Sequence, residues 1–217
     1  MCQLTMRFVF TSMLVTACLA IAKPAGAELV DRILALVEGQ TILLSDVRAF
    51  VRLGLVHSTD TGEQQSDTLG HLIRRHLILT EVDRYLVEEP AAKIVDQRLG
   101  QVRKQFQTEG QWSDVLAETG LNNADLRHIV RDEIRIETYL DQRFISAIQP
   151  TDDELLNYYR QHQDDFTNRG TPLPFAEVQE TVRSQLAAER RQDLISEWVS
   201  SLRDRGNIIR LGQPFRE

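Results

Sequence analysis

The run Asn207-Ile208-Ile209-Arg210-Leu211, close to the C-terminus of this 217-residue chain, constrains the fold more than any other feature. It follows Gly206 and reads as a short strand, and a strand's backbone N–H and C=O groups require a ladder partner. Almost everything before it reads as helix. The obvious partner lies at the other end of the sequence. There, Leu29 to Val37 is rich in branched apolar residues, Glu38-Gly39 offers a turn, and Gln40 to Leu44 returns as a second short run. That pattern is a β-hairpin. The N-terminal hairpin and the C-terminal strand are therefore expected to meet, with the helices between them packed around the join.

Between the two ends the apolar spacing is helical. Ser45-Asp46 supplies an N-cap for a helix to about Leu55. His57 to Ser66 is polar, a solvated loop. From Asp67 to Leu86, the residues Leu69, Leu72, Ile73, Leu77, Val82 and Tyr85 spread around more than half the circumference, as in a helix central to its core. Pro90 suits a first helical turn, and Val95, Leu99, Val102 and Phe106 then form one stripe. Ser113 caps a short helix that stops at Gly120. Asn122-Asn123 opens a helix to about Ala147. Thr151 and Glu154 have capping-box spacing, opening a helix to Phe166. Thr167 to Pro174 is a loop by composition. A long helix from Phe175 to about Arg205 carries Val178, Val182, Leu186, Leu194, Trp198 and Leu202, and Gly206 ends it. The fold class is mainly α, a helical lobe with a small antiparallel sheet.

Residues 1–27 read as an export signal. Arg7 is the only charge before a largely apolar stretch from Phe8 to Ala22, and Lys23-Pro24 breaks it. Ala25-Gly26-Ala27 then offers the small-x-small pattern of signal peptidase substrates, with cleavage between Ala27 and Glu28. At roughly 15 residues the apolar stretch is short for a permanent membrane anchor. A second processing route stays open: Val15-Thr16-Ala17-Cys18 resembles a lipobox, which would make Cys18 a lipidation site. Either route exports the chain, so the expected location is the periplasm. Both cysteines, Cys2 and Cys18, fall in the leader, so the processed protein would lack disulfide, thiolate zinc and redox chemistry. A net charge of −7 gives no electrostatic reason to seek nucleic acid.

The order of elements, taken with certain residues, resembles the chaperone core of the SurA-like periplasmic family from about Leu29 to Leu211. The residues are Val30-Asp31-Arg32-Ile33-Leu34-Ala35-Leu36-Val37-Glu38-Gly39, then Ile42-Leu43-Leu44-Ser45-Asp46-Val47, which match the family's opening. Leu72-Ile73 through Glu81 and Tyr85 resembles its next helix. Leu121 to Phe144, with Asp125-Leu126-Arg127 and Tyr139-Leu140 inside it, resembles the helix closing its N-terminal lobe. The resemblance implies a SurA-type helical lobe over 28–149 and C-terminal helices and strand over 150–217 that pack back onto it. In such proteins similar flanks often bracket a parvulin-type prolyl isomerase domain. Here only eight residues separate Phe166 from Phe175, too few for that fold.

The implied function is ATP-independent holding of unfolded envelope or outer-membrane proteins, without isomerase activity, cofactor or metal. A non-catalytic adaptor with one dedicated partner, anchored by a lipid at Cys18, is the alternative. The residues themselves offer little to an enzyme. His57, His71, His76, His128 and His162 form no His-Glu-x-x-His arrangement, no serine sits in Gly-x-Ser-x-Gly, and no glycine-rich phosphate cradle occurs. Asp152-Asp153 and Asp164-Asp165 are adjacent pairs that point apart on a helix. An apolar client groove is expected instead, with Phe106, Trp112, Leu116, Tyr139 and Phe144 as its lining; aromatic residues at this spacing otherwise belong to a core. A C-terminal strand that pairs with an N-terminal hairpin can also pair with a neighbour's, so monomer and swapped dimer both fit.

Overall fold

The computed structural model describes residues 31–56, 64–145, 149–168 and 170–211. Residues 1–30, which include the expected leader with Cys18, Ala27 and Glu28, lie outside the described residues, as does the polar stretch 57–63. Residues from Arg32 onward form one compact unit.

The hairpin forms where branched apolar residues alternate around a two-residue turn. Strands β1 (Ile33–Val37) and β2 (Gln40–Leu43) pair antiparallel, with Val37 opposite Gln40 and Leu36 opposite Thr41. Glu38 and Gly39 have φ of 51° and 83°, the doubly left-handed turn whose twist matches a hairpin. Strand β5 (Ile208–Arg210) takes the other edge of β1, antiparallel, with Ile209 opposite Leu36, giving the order β2-β1-β5. The expected meeting of hairpin and C-terminal strand is thus observed. The turn also clasps the incoming chain: Glu38 N–H donates to Asn207 O at 3.0 Å, and Asn207 N–H donates to Glu38 Oε1 at 2.9 Å.

Helix α1 (Leu44–Arg52) begins one residue before the expected Ser45-Asp46 cap. Leu44 N–H still donates to Arg32 O at 2.8 Å, so the last bond beside the hairpin and the first helical residue coincide. Asp46 then caps from inside the first turn, its Oδ2 accepting from Leu43 N–H at 2.8 Å. Helices α2 (Gln64–Arg84), α3 (Ala92–Arg103), α4 (Glu109–Thr119) and α5 (Asn123–Phe144) follow. Ser113 does not cap α4. That role belongs to Thr108, whose Oγ1 accepts from Gln111 N–H at 3.2 Å, while Gly120 ends the helix at φ 69°. Asn122 caps α5 in a reciprocal box with Asp125.

Thr151 and Glu154 form the expected box at α6 (Asp152–Gln161). That helix stops short of Phe166. A 3-10 turn over Gln163–Asp165 swings Phe166 back against Tyr159, ring centroids 5.9 Å apart, and buries it. The stretch read as a loop is a small ribbon, β3 (Thr167–Asn168) paired with β4 (Thr171–Pro172). Helix α7 (Phe175–Arg205) has the expected bounds.

Three apolar clusters hold this together. The main one packs β1, β2 and α1 against the buried face of α2 (Leu72, Ile73, Leu77, Ile78, Val82), the second half of α5, and Trp198, Val199 and Leu202 of α7. A second joins Leu155, Tyr159 and Phe166 to Val178, Val182 and Leu186. Helix α7 therefore serves two cores in turn, its N-terminal half in the second and its C-terminal half in the first. A third gathers Leu53, Val102, Trp112 and Leu126. Among the described residues no helix is long and apolar enough to cross a membrane.

Candidate functional site

The five residues expected to line one groove do not share a surface. Phe106, Trp112 and Leu116 belong to the third cluster, where the Phe106 and Trp112 rings meet edge to face at 5.3 Å. Trp112 is buried there, and Phe106 and Leu116 are half-buried. Tyr139 and Phe144 are buried in the main cluster, on either side of Trp198 at 5.7 and 6.0 Å. The cause is helical geometry: α5 turns the positions of Tyr139 and Phe144 toward Trp198 of α7, and α4 turns Trp112 into the cluster of Leu53, Val102 and Leu126. Each aromatic residue finds a helix to pack on, and burial of its ring is worth about 1.5–3 kcal/mol.

The main cluster continues outward through a file of rings. Tyr85, at the end of α2, lies 5.7 Å from Tyr139, and Tyr85 is 60% exposed. Arg143, one turn beyond Tyr139 on α5, spreads its guanidinium over Trp198 at 4.8 Å, Phe144 at 5.6 Å and Tyr139 at 6.0 Å. The Trp198 indole N–H is buried without a partner among the described residues. Of this group, Tyr85, Arg143 and Trp198 were not singled out by sequence reasoning as site residues. Their spacing marks Tyr85 and Trp198 only as apolar helix positions, and an arginine on a helix carries no sign of what it covers.

Buried charge joins α2 to α5. Arg75 is 8% exposed; its Nε donates to Glu133 Oε1 at 2.6 Å, and Nη2 donates to Asp132 Oδ2 at 3.2 Å and to Ile129 O at 3.4 Å. The same guanidinium lies 5.9 Å over the Phe50 ring. Arg135, also buried, donates to Asp83 Oδ1 at 2.8 Å. His71 and His76 flank Arg75 on α2. Burial lowers the pKa of both, with Arg75 lowering them further and Glu133 (for His71) or Asp132 (for His76) opposing. The ion pairs of Arg75 and Arg135 bind α2 to α5.

A cavity of about 300 Å³ lies between the hairpin turn, α2 and α7, lined by Glu38, Leu77, Glu81, Arg84, Arg205 and Gly206. Its buried Glu81 pairs with Arg84 at 2.5 Å and approaches Arg205 at 4.0 Å. Among the described residues no three His, Cys, Asp or Glu side chains converge as metal ligands do.

A helical lobe closed by strands from distant parts of the sequence defines a class of fold, and solved structures share it. A chain from the structural description of the virulence factor PEB4 and the periplasmic protein Cj1289, two SurA-like chaperones of Campylobacter jejuni, aligns with a TM-score of 0.53. The match covers 83% of this chain and 99% of that one at 13% identity, a likeness of fold. The sequence relatives carry a particular name. The chaperone SurA of Salmonella choleraesuis is 29% identical over 133 residues, and that of Pectobacterium atrosepticum is 26% identical over 119. These alignments cover 58% and 52% of this chain but only 31% and 28% of the relatives, so the chain spans about a third of their length. No protein-family model matches it. The chain is thus SurA-like in fold and similar in sequence to SurA chaperones.

Proposed function

We propose that this protein is a periplasmic, ATP-independent holdase for unfolded envelope proteins, and that it has no prolyl isomerase activity. The observation that carries the reading is the agreement of two independent likenesses, the sequence match to SurA and the SurA-like fold. The ribbon between Phe166 and Phe175 supports the second half of it. Thr167 pairs with Pro172, and Leu173 N–H donates to Phe166 O at 2.8 Å, so the chain passes directly from α6 to α7. Export supplies the compartment, through the leader at 1–27. The mechanism is reversible burial of apolar client segments on an exposed face of the lobe. Contacts worth about 7–9 kcal/mol give the micromolar affinity that lets a holdase release its client.

The test is aggregation of a denatured outer-membrane β-barrel protein with and without the purified chain, run beside a prolyl-isomerisation assay. Suppressed aggregation with no isomerisation is the expected outcome. Failure to suppress aggregation of several unrelated clients overturns the reading, and recovery of one stable companion in a pull-down would replace it with the adaptor.

A further inference from the structure

Helices α1 and α2 end in the same backbone motif but not with the same residue. In α1, Leu55 N–H donates to Phe50 O at 3.0 Å and Gly54 N–H to Val51 O at 3.1 Å. In α2, Val87 N–H donates to Val82 O and Leu86 N–H to Asp83 O, both at 3.3 Å. This Schellman geometry puts one residue in the left-handed region, a place that favours glycine. Gly54 takes it in α1 at φ 63°; Leu86 takes it in α2 at φ 50°. A left-handed leucine crowds its own Cβ against the next carbonyl. The two cap hydrogen bonds meet part of that cost, but side-chain packing meets none of it, because Leu86 is 86% exposed and stands beside the exposed Tyr85. Strain kept for a side chain held out in water points to a use outside the fold.

A second observation lies next to it. Arg131, Arg135 and Arg191 each pair with a carboxylate. Arg143 has no carboxylate partner among the described residues; it donates to Tyr139 Oη at 3.3 Å and otherwise lies on aromatic faces. The Tyr139 ring borders both features, 5.7 Å from Tyr85 and 6.0 Å from the Arg143 guanidinium. An unpaired cation and an exposed apolar pair thus flank one ring.

We propose that Tyr85, Leu86 and Arg143 form the docking point for an extended segment of an unfolded chain. An aromatic or aliphatic side chain of the segment packs on Tyr85 and Leu86, and a nearby carboxylate of the same segment pairs with Arg143. The inference rests on the holdase reading and names the face and the client chemistry. Charge selects the occupant: a cation with no counter-ion among the described residues calls for an acidic group beside the apolar one. Side chains two to four residues apart on one face of an extended chain stand about 7–13 Å from each other, a span that bridges the Tyr139 ring.

The test uses the purified chain and two blocked nonapeptides, one with a Phe-Ser-Asp core and one with Phe-Ser-Asn, titrated by calorimetry. The acidic peptide is expected to bind about tenfold more tightly than its amide counterpart, the size of one charge-assisted contact. Arg143→Gln should abolish the difference. Leu86→Gly should raise the melting temperature by about 2–4 °C while weakening the acidic peptide by about tenfold, since the buried leucine contact is lost. Both positions are exposed, so the fold tolerates the changes. Binding of neither peptide, equal binding of the two, or a Leu86→Gly protein that gains stability at unchanged affinity would overturn the proposal. So would self-association that Leu86→Gly abolishes, which assigns the face to a second copy. The aggregation assay separates the levels: suppression by wild type that both variants retain in full overturns the docking point alone, and no suppression by wild type overturns the holdase reading beneath it.

Discussion

Replacing Arg75 with methionine tests what joins the two central helices. The side chain is 8% exposed and crosses from α2 to α5, where it holds Glu133, Asp132 and the carbonyl of Ile129. Removing one partner of a buried pair costs about 3–5 kcal/mol, because the other charge stays buried and uncompensated. Two features moderate that figure here. Asp132 keeps Arg131 at 2.8 Å, and Glu133 is 33% exposed and can turn toward water. Methionine also fills much of the space over the Phe50 ring. The loss should therefore fall at the low end, about 2–3 kcal/mol. Urea unfolding reads it as a midpoint lowered by roughly 1 M at unchanged m-value, taking m near 2 kcal/mol/M for a domain of this size. A double-mutant cycle gives the sharper result: Glu133→Gln should cost less in the Arg75→Met background than in wild type, with a coupling of about 1–2 kcal/mol. An Arg75→Met protein as stable as wild type, or a coupling near zero, refutes the claim that this ion pair ties α2 to α5.

Three further outcomes are expected. Because burial lowers the pKa of His71 and His76 below their ordinary 6.5, the unfolded chain takes up these protons first; stability is full above that value and falls as pH drops below it. Urea midpoints between about pH 7.5 and 5.5 should decline, and the slope should flatten in a His71→Gln/His76→Gln protein. An unchanged slope contradicts the assignment. Gly206 has an ordinary φ of −81°, so it is required for space and not for conformation. A Cβ there would stand 2.8 Å from Leu202 O and 3.0 Å from Leu77 Cδ2, and Gly206→Ala should cost about 1–3 kcal/mol, with faster hydrogen exchange at the β1–β5 ladder. Thr151→Ala removes the cap of α6 and should cost about 1 kcal/mol by thermal unfolding. The same box, after the Arg190 guanidinium, holds the Glu154 carboxyl down at about 2, so the carboxylate's share of the box is full above its ordinary 4.5 and is lost as the pH falls from there to about 2.

Features governed by neighbours in sequence were legible before the structure. The hairpin at Glu38-Gly39, the Thr151–Glu154 box and the 31 residues of α7 each depend on residues within one turn of one another. The topological step followed from need: a lone strand at Ile208–Arg210 demanded β1. Local signals that competed were harder to rank. Thr108-x-x-Gln111 and Ser113 both offer a start for α4, and the bond from Gln111 N–H to Thr108 Oγ1 at 3.2 Å places it at Thr108. The fate of the aromatic residues was only half legible: their spacing already allowed a core, which is where the structure puts them. Spacing puts Trp112 and Tyr139 on apolar stripes but does not say which stripe is covered; Leu53, Val102 and Leu126 cover the first and Trp198 the second. The exposed knob at Tyr85–Leu86 is marked in sequence only by a missing glycine before Val87.

The eight residues between Phe166 and Phe175 have a consequence for how such a core can vary. Phe166 and Leu173 are joined by a backbone hydrogen bond of 2.8 Å, and Tyr159 Oη donates to Leu173 O at 2.6 Å, so the chain leaves the second cluster and re-enters it at one point. The ribbon beyond that point, Thr167–Asn168 and Thr171–Pro172, is exposed and contributes nothing to the three apolar clusters. Lengthening it leaves Phe166, Tyr159 and Val178 where they are, and the entropy of closing a longer loop grows only as the logarithm of its length, about 0.6 kcal/mol per doubling. An insertion into the ribbon is therefore expected to cost this core little, and thermal unfolding of a chain lengthened between Asn168 and Thr171 checks it. What the lobe needs in order to fold lies elsewhere: two helices that meet at Phe166 and Val178, and a sheet that closes only when β5 reaches β1.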